Sequence, residues 1–301
     1  MTSGLGDPGL SLQAHHCQWA VLFNLGAHAA CCDHVEQGIR LYEAGDYRAH
    51  ALIYGGHDPA VCGHGQSALS HWLLGFPEEA LLRIDRAFAA AGRLSHAGSE
   101  LHALEIALML HRFRQDVDEV ERLAERMIAL SREEEFKALE VKGALFRDWC
   151  LGRRGDVEAA VAGLESGIER LRSIDASEDL PFFLDMLAEC SALGGRTDQG
   201  LVALQQALRD VEKTASRFWT AELLRHRAVL LLRTEGDHEH QVRSPSRAPL
   251  RPRASRRRGC WSCAPPPAMP NGWPRRVTRR PQDSSWHRSA SASRRAWRRS
   301  S

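Results

Sequence analysis

The feature that most limits what this chain can fold into is an internal repeat. Four segments share one shape: NLGAHAACCDHVEQGI, LLGFPEEALLRIDRAF, GRRGDVEAAVAGLESGI and LGGRTDQGLVALQQAL. Each carries a turn glycine, at Gly26, Gly75, Gly155 and Gly195, and the last three are separated by multiples of 40 residues. Small residues recur five positions later, at Cys31, Ala80, Ala160 and Gly200, and again twelve positions later, at Gly38, Ala87, Gly167 and Ala207. The member missing at position 115 is filled by RQDVDEVERLAERMIAL, with Gln115 in the turn, and Gly236 is spaced to open a sixth unit. A fixed period of this length marks stacked supersecondary units, each of which buries its apolar face only against its neighbours.

Each unit reads as helix–turn–helix. In the second helix the apolar residues follow helical spacing, as in Leu81, Ile84, Phe88 and Ala91. The recurrent small residues lie about two turns apart on one face, where helix backbones must approach closely. Runs of β-branched residues are absent over 11–234, so no strand is expected. The expected fold is an all-α solenoid of antiparallel helix pairs over 11–240. A disordered stretch is expected at 1–10 and a disordered Arg/Pro/Ser-rich tail at 241–301.

Charge divides the chain in the same place. Residues 1–242 hold 24 Lys and Arg against 37 Asp and Glu, whereas 243–301 hold 16 Arg and one acid, Asp283. Nine of the 13 prolines also fall in this last stretch. Three readings of it stand open. The composition suits a disordered basic tail. Trp261, Trp273, Trp286 and Trp297 interleave with arginines, as in an arm that contacts nucleic acid. The third is a shifted reading frame. Cys260-Trp261 requires TGY-TGG, which reads leucine one base earlier, and GC-rich codons would turn CWSCAPPPAMP into an amphipathic helix. No secretory signal and no long apolar span is visible, so the eight cysteines are expected to be reduced thiols in a cytoplasmic protein without a membrane partner.

Motifs that carry chemistry are scarce. There is no Walker-type phosphate loop, no H-E-x-x-H, no dinucleotide fingerprint and no nucleophile elbow. No catalytic residue, cofactor or metal is therefore expected. CWSC (260–263) lacks a second cysteine pair, and HHC (15–17) and DHEH (237–240) lack spaced partners and read as helix-surface or turn residues. The stretch GGHDPAVCGHG (55–65) looks like a metal site. Asp58 and Pro59, however, suit the N-cap and first position of a helix. His64 and His71 then face neighbouring helices, and their side chains should not converge on an ion.

The spacing of Gly, four residues, Ala, six residues, Ala resembles the tetratricopeptide repeat in a long form of about 40 residues. AHHCQWAVLFNLG, YGGHDPAVCGHGQSALSHWLLGFPEEAL, FLDMLAECSALGGRTDQGL and RFWTAELLRHRAVLLL further resemble the repeat region of bacterial multidomain signalling ATPases, often adenylate or guanylate cyclases. The resemblance implies a non-catalytic protein-interaction module, a fragment of such a regulator whose cyclase and ATPase domains are absent here. An adaptor whose basic tail contacts nucleic acid is the alternative. In tetratricopeptide arrays the first helix of each pair lines a concave groove, at 13, 10, 6 and 3 residues before the turn. These offsets point to Cys62 and Trp72; to His102, Glu105 and Arg112; to Lys142 and Trp149; and to Phe182, Asp185 and Glu189. Such a mixture suits a protein or peptide ligand, although Trp72, Trp149 and Phe182 equally suit packing between helices.

Overall fold

A computed structural model describes residues 6–243, with side chains through 234; the expected tail beyond 243 lies outside the described residues. Among those residues all regular structure is helical. The twelve helices are α1 (Pro8–Asn24), α2 (His28–Glu43), α3 (His50–Ile53), α4 (Pro59–Leu73), α5 (Pro77–Gly92) and α6 (Ala97–Phe113), followed by α7 (Val117–Glu133), α8 (Lys137–Arg153), α9 (Val157–Ser173), α10 (Leu180–Leu193), α11 (Thr197–Thr214) and α12 (Thr220–Arg243). Five antiparallel hairpins result: α1/α2, α4/α5, α6/α7, α8/α9 and α10/α11.

The turns hold the register. All five residues read as turns have positive φ: Gly26 (77°), Gly75 (89°), Gln115 (57°), Gly155 (105°) and Gly195 (73°). Each closes its helix in the same way. The N–H of the turn residue returns to a carbonyl three residues back, and the next N–H returns five back, as in Gly75 to Trp72 and Phe76 to His71. A second series links one hairpin to the next, at Gly55, Ser95, Glu135, Asp175 and Ala215. Its members also stand 40 apart. The first hairpin is offset by an insertion that holds α3 and the Gly55–Gly56 turn.

Position within the array explains the two kinds of helix. The first helix of each pair is covered on several sides; α6 buries eleven of 17 residues. Its partner α7 faces outward and buries six of 17, a single stripe. The small residues lie where the two helices of a hairpin touch. A Cβ on Gly38 would lie 2.4 Å from the Trp19 ring, and one on Gly167 would lie 2.5 Å from Leu145. The array also bends until its ends meet. The N–H of Arg217 donates to the carbonyl of Asn24 at 2.5 Å, Ser216 Oγ donates to Asn24 Oδ1 at 3.0 Å, and Phe23 stacks on Phe218 at 4.9 Å.

Two boundaries differ from the expectation. Asp7 accepts from the N–H groups of Gly9 and Leu10 and starts α1 at Pro8, inside the stretch expected to be disordered. The chain does not turn at Gly236, because α12 runs through it and past 240. One glycine costs a helix interior only about 1 kcal/mol, which does not by itself end a helix.

Gln115 tests the turn argument. Its left-handed conformation costs roughly 1–2 kcal/mol in an L-residue, and glycine would add about 0.4–1 kcal/mol of unfolded-chain entropy. Gln115→Gly is therefore expected to stabilise the array slightly, raising the melting midpoint by about 2 °C. Gly155→Ala, at φ 105°, is expected to lower it by more than that. Calorimetric melts of the two variants check the pair.

Candidate functional site

The inner face consists of α1, α4, α6, α8, α10 and α12, packed side by side. Because these helices are close to their neighbours, the residues at the groove offsets meet one another more than they meet solvent. They form two polar clusters, one at each end of the inner helices.

The first cluster sits near the helix starts. Asp58 caps α4 through the N–H groups of Ala60 and Val61, accepts from the Tyr42 hydroxyl at 2.7 Å, and is fully buried. This fixes the first turn of α4 and with it Cys62. The Cys62 thiol is buried, accepts from Trp19 Nε1 at 3.5 Å, and has the imidazoles of His16, His57 and His102 around it. Burial pushes the thiol up, but His102, His16 and His57 outweigh burial and hold it well below the ordinary thiol range. His57 and His102 stack with centroids 4.0 Å apart. Glu105 lies beyond His102 and accepts from Lys142 Nζ at 2.7 Å. The same ammonium donates to Glu178 at 2.9 Å and Asp179 at 2.7 Å. Burial would draw Lys142 down, yet Glu105, Asp179 and Glu178 hold it well above its usual value.

The second cluster lies toward the helix ends. Arg112, at 4% exposure, donates from Nη2 to Glu189 Oε2 at 2.8 Å and to Asp185 Oδ2 at 3.3 Å. Its guanidinium lies 5.0 Å from the centre of the Trp149 ring. Trp149 Nε1 donates to Glu189 at 3.0 Å, and Arg153 donates to the same carboxylate at 2.9 Å. Asp185 has no exposed surface. It accepts from Trp219 Nε1 at 3.1 Å and pairs with His226 Nδ1 at 2.7 Å. Burial raises this carboxyl, but His226 and Arg112 outweigh it and hold Asp185 below the ordinary carboxylate value. Above the cluster opens a cleft of about 630 Å³. Trp72, Phe113, Phe218 and Trp219 border it together with Arg112, Arg153, Glu189, Arg225 and Arg233.

The structure sorts the ten groove candidates. Trp72, Arg112 and Glu189 border the cleft. Trp149 and Phe182 pack between helices, Phe182 among Phe113, Phe146, Phe183 and Trp219. Cys62 and Asp185 are buried, and His102, Glu105 and Lys142 spend their polar atoms on each other or on Glu178 and Asp179. The offsets found the inner face, but tight curvature covers most of it. His71 and His64 face neighbouring helices as the spacing implied. His71 Nδ1 donates to the Ser67 carbonyl at 2.7 Å and lies 3.6 Å from Cys32 of α2, and His64 feels the arginines of α5.

His16 departs from the expectation. It is buried rather than on a helix surface, and it meets His57 and Cys62. The signal for it was present, since the offsets of 13 and 10 counted back from Gly26 fall on Gln13 and His16. His57 belongs to the insertion and had no periodic signal. DHEH falls where side chains are not described, and CWSC lies outside the described residues.

No family model matches the chain. Its sequence is 32% identical over 233 residues to the uncharacterized protein R02095 of Rhizobium meliloti (strain 1021). The match takes in 77% of this chain and 23% of that protein, so the chain spans less than a quarter of its relative's length. Among solved structures, the apo form of RapI overlays with a TM-score of 0.48 at 9% identity, over 70% of this chain and 74% of that one. A putative kinesin light chain with nearly identical TPR-like repeats, from Podosopora anserina, overlays with a TM-score of 0.45 at 16% identity, over 69% of this chain and 98% of that one. The repeat architecture itself rests on the turns and the helix pairing. Among the described residues no helix is long and apolar enough to cross a membrane.

Removing Asp185 would leave the Arg112 charge buried without one of its partners. Asp185→Ala is expected to lower unfolding stability by about 3–5 kcal/mol in urea titrations, whereas Asp185→Leu combined with Arg112→Met should recover much of the loss. Because the Asp185 carboxyl is lowered in the folded state, its contribution is complete above the ordinary carboxylate value and is lost as pH falls through the lowered one. The stability gap between wild type and Asp185→Leu/Arg112→Met should therefore change only in acid.

Proposed function

We propose that this chain is a non-catalytic binding module that takes an acidic peptide segment of a partner protein in the cleft above the second cluster. The observation that carries this reading is the cleft's chemistry. Four arginines, Arg112, Arg153, Arg225 and Arg233, stand around it beside the aromatic rings of Trp72, Phe113, Phe218 and Trp219, against the carboxylates of Glu189 and Glu222. Arginine beside aromatic surface suits a segment that pairs carboxylates with apolar side chains, since the guanidinium fork matches a carboxylate and the rings supply area. Arg112 is held in place by Asp185, Glu189 and the Trp149 ring, so little order is lost when a ligand arrives. The wider setting we propose, a region of a larger ATPase- or cyclase-type signalling regulator, is supported by the resemblance of its first, second, fifth and last helices to the repeat region of such proteins.

The test uses a fluorescent peptide library in which acidic–aromatic sequences are matched with charge-reversed copies. The acidic members should bind preferentially and lose affinity as salt rises. Arg225→Glu with Arg233→Glu, both on exposed positions, should weaken them about tenfold or more while leaving the helical circular dichroism unchanged. Equal binding of the charge-reversed peptides, or indifference to the double substitution, overturns the proposal.

A further inference from the structure

The first cluster holds a set of side chains that the peptide reading does not use. We propose that His16, His57 and Cys62 form a binding site for a divalent ion of zinc type, which ties the first hairpin to the second. One ligand atom from each residue, a ring nitrogen from each histidine and Sγ from Cys62, lies within 4.8 Å of the other two. A tetrahedral zinc ion spaces such ligands roughly 3.5 Å apart, so modest side-chain rotation closes the set around an ion. One thiolate and two imidazoles is a donor set that favours zinc or cobalt over magnesium or calcium.

The surroundings are arranged as the second shell of a metal site is arranged. Gln13 donates from Nε2 to His50 Nδ1 at 2.7 Å, so its Oε1 accepts from His16 Nδ1 at 3.2 Å. The His16 ring is thereby held with Nε2 as the nitrogen free to ligate, and it stacks on Trp19 at 4.8 Å. Trp19 in turn donates to Cys62 Sγ. His57 Nε2 is buried without a hydrogen-bond partner, and so is Nε2 of His102, which stacks on His57. Leaving a buried imidazole nitrogen unpartnered is costly, and an ion relieves that cost at His57. His102 is placed to offer a fourth ligand after a change of rotamer.

The position in the fold gives the ion a structural task. His16 comes from α1 and Cys62 from α4, while His57 comes from the insertion, where the register of 40 residues is interrupted. An ion held by all three would secure the one irregular junction in the array.

Cobalt(II) is the probe, added to the full purified chain without zinc. Wild type should bind one equivalent, with a thiolate-to-cobalt charge-transfer band in the near ultraviolet and the intense visible bands of a tetrahedral site. Cys62→Ser should abolish the near-ultraviolet band, and Cys260→Ser with Cys263→Ser should leave it. His57→Gln, a half-buried position outside the helices, should weaken binding about tenfold or more while retaining wild-type circular dichroism, and Gln13→Leu should weaken it by about tenfold through the second shell. Zinc should raise the melting midpoint of wild type but not of His57→Gln. The site is refuted if wild type shows no thiolate–cobalt band, if the band survives in Cys62→Ser, or if His57→Gln binds cobalt as wild type does. Peptide binding in the distant cleft is read separately and does not bear on this outcome.

Discussion

A buried charge has to be answered, and Arg112 is answered from two hairpins away. The partners of this guanidinium, Asp185 and Glu189, belong to α10, with α8 and its Trp149 ring between. The pairing forms only if α6, α8 and α10 stand at one curvature, because an open arc would leave the arginine and Asp185 desolvated and apart. Lys142 imposes the same demand at the other end of these helices, where it joins Glu105 of α6 to Glu178 and Asp179 at the start of α10. Apolar packing between neighbouring hairpins tolerates a range of angles. The two cations select one.

That selection also explains what the sequence shows and what it withholds. The left-handed turns are local, so they are visible even where glycine is replaced. Gln115 was placed in a turn by spacing alone, and it has a φ of 57°. The close approach of paired helices is visible too, since Gly38 faces Trp19 and Gly167 faces Leu145. The cap at Asp58 follows from its own residue and the proline after it. Whether an inner face is open or covered is a different kind of property. It depends on the angle summed over all the hairpins, and no window of the sequence contains that sum. The offsets therefore named Arg112, Asp185 and Glu189 together, but they also named Trp149 and Phe182, which the curvature buries.

The break in period is where local reading failed most. Counting back from Gly75 gives Cys62, and counting back from Gly26 gives His16, so two of three clustered ligand atoms were within reach of the pattern. His57 follows no period, because an insertion is free of the repeat's packing constraints. It stands where it does because Asp58 is pinned by Tyr42 and Ser99, which fixes the residue immediately before it. A cap thus positions a neighbour whose chemistry is unrelated to capping.

The contact between Asn24 and the Ser216–Arg217 segment has a consequence for how such a chain can change. An open stack of hairpins can gain or lose a unit, because each copy needs only its neighbours. Here the two ends touch across 192 residues of sequence, and the contact includes a backbone hydrogen bond and a stacked pair of phenylalanines. Duplicating or deleting one unit of 40 residues would carry Phe23 and Phe218 past one another. The number of hairpins is therefore a fixed property of this molecule, set by geometry in the way that the number of blades is set in a closed propeller.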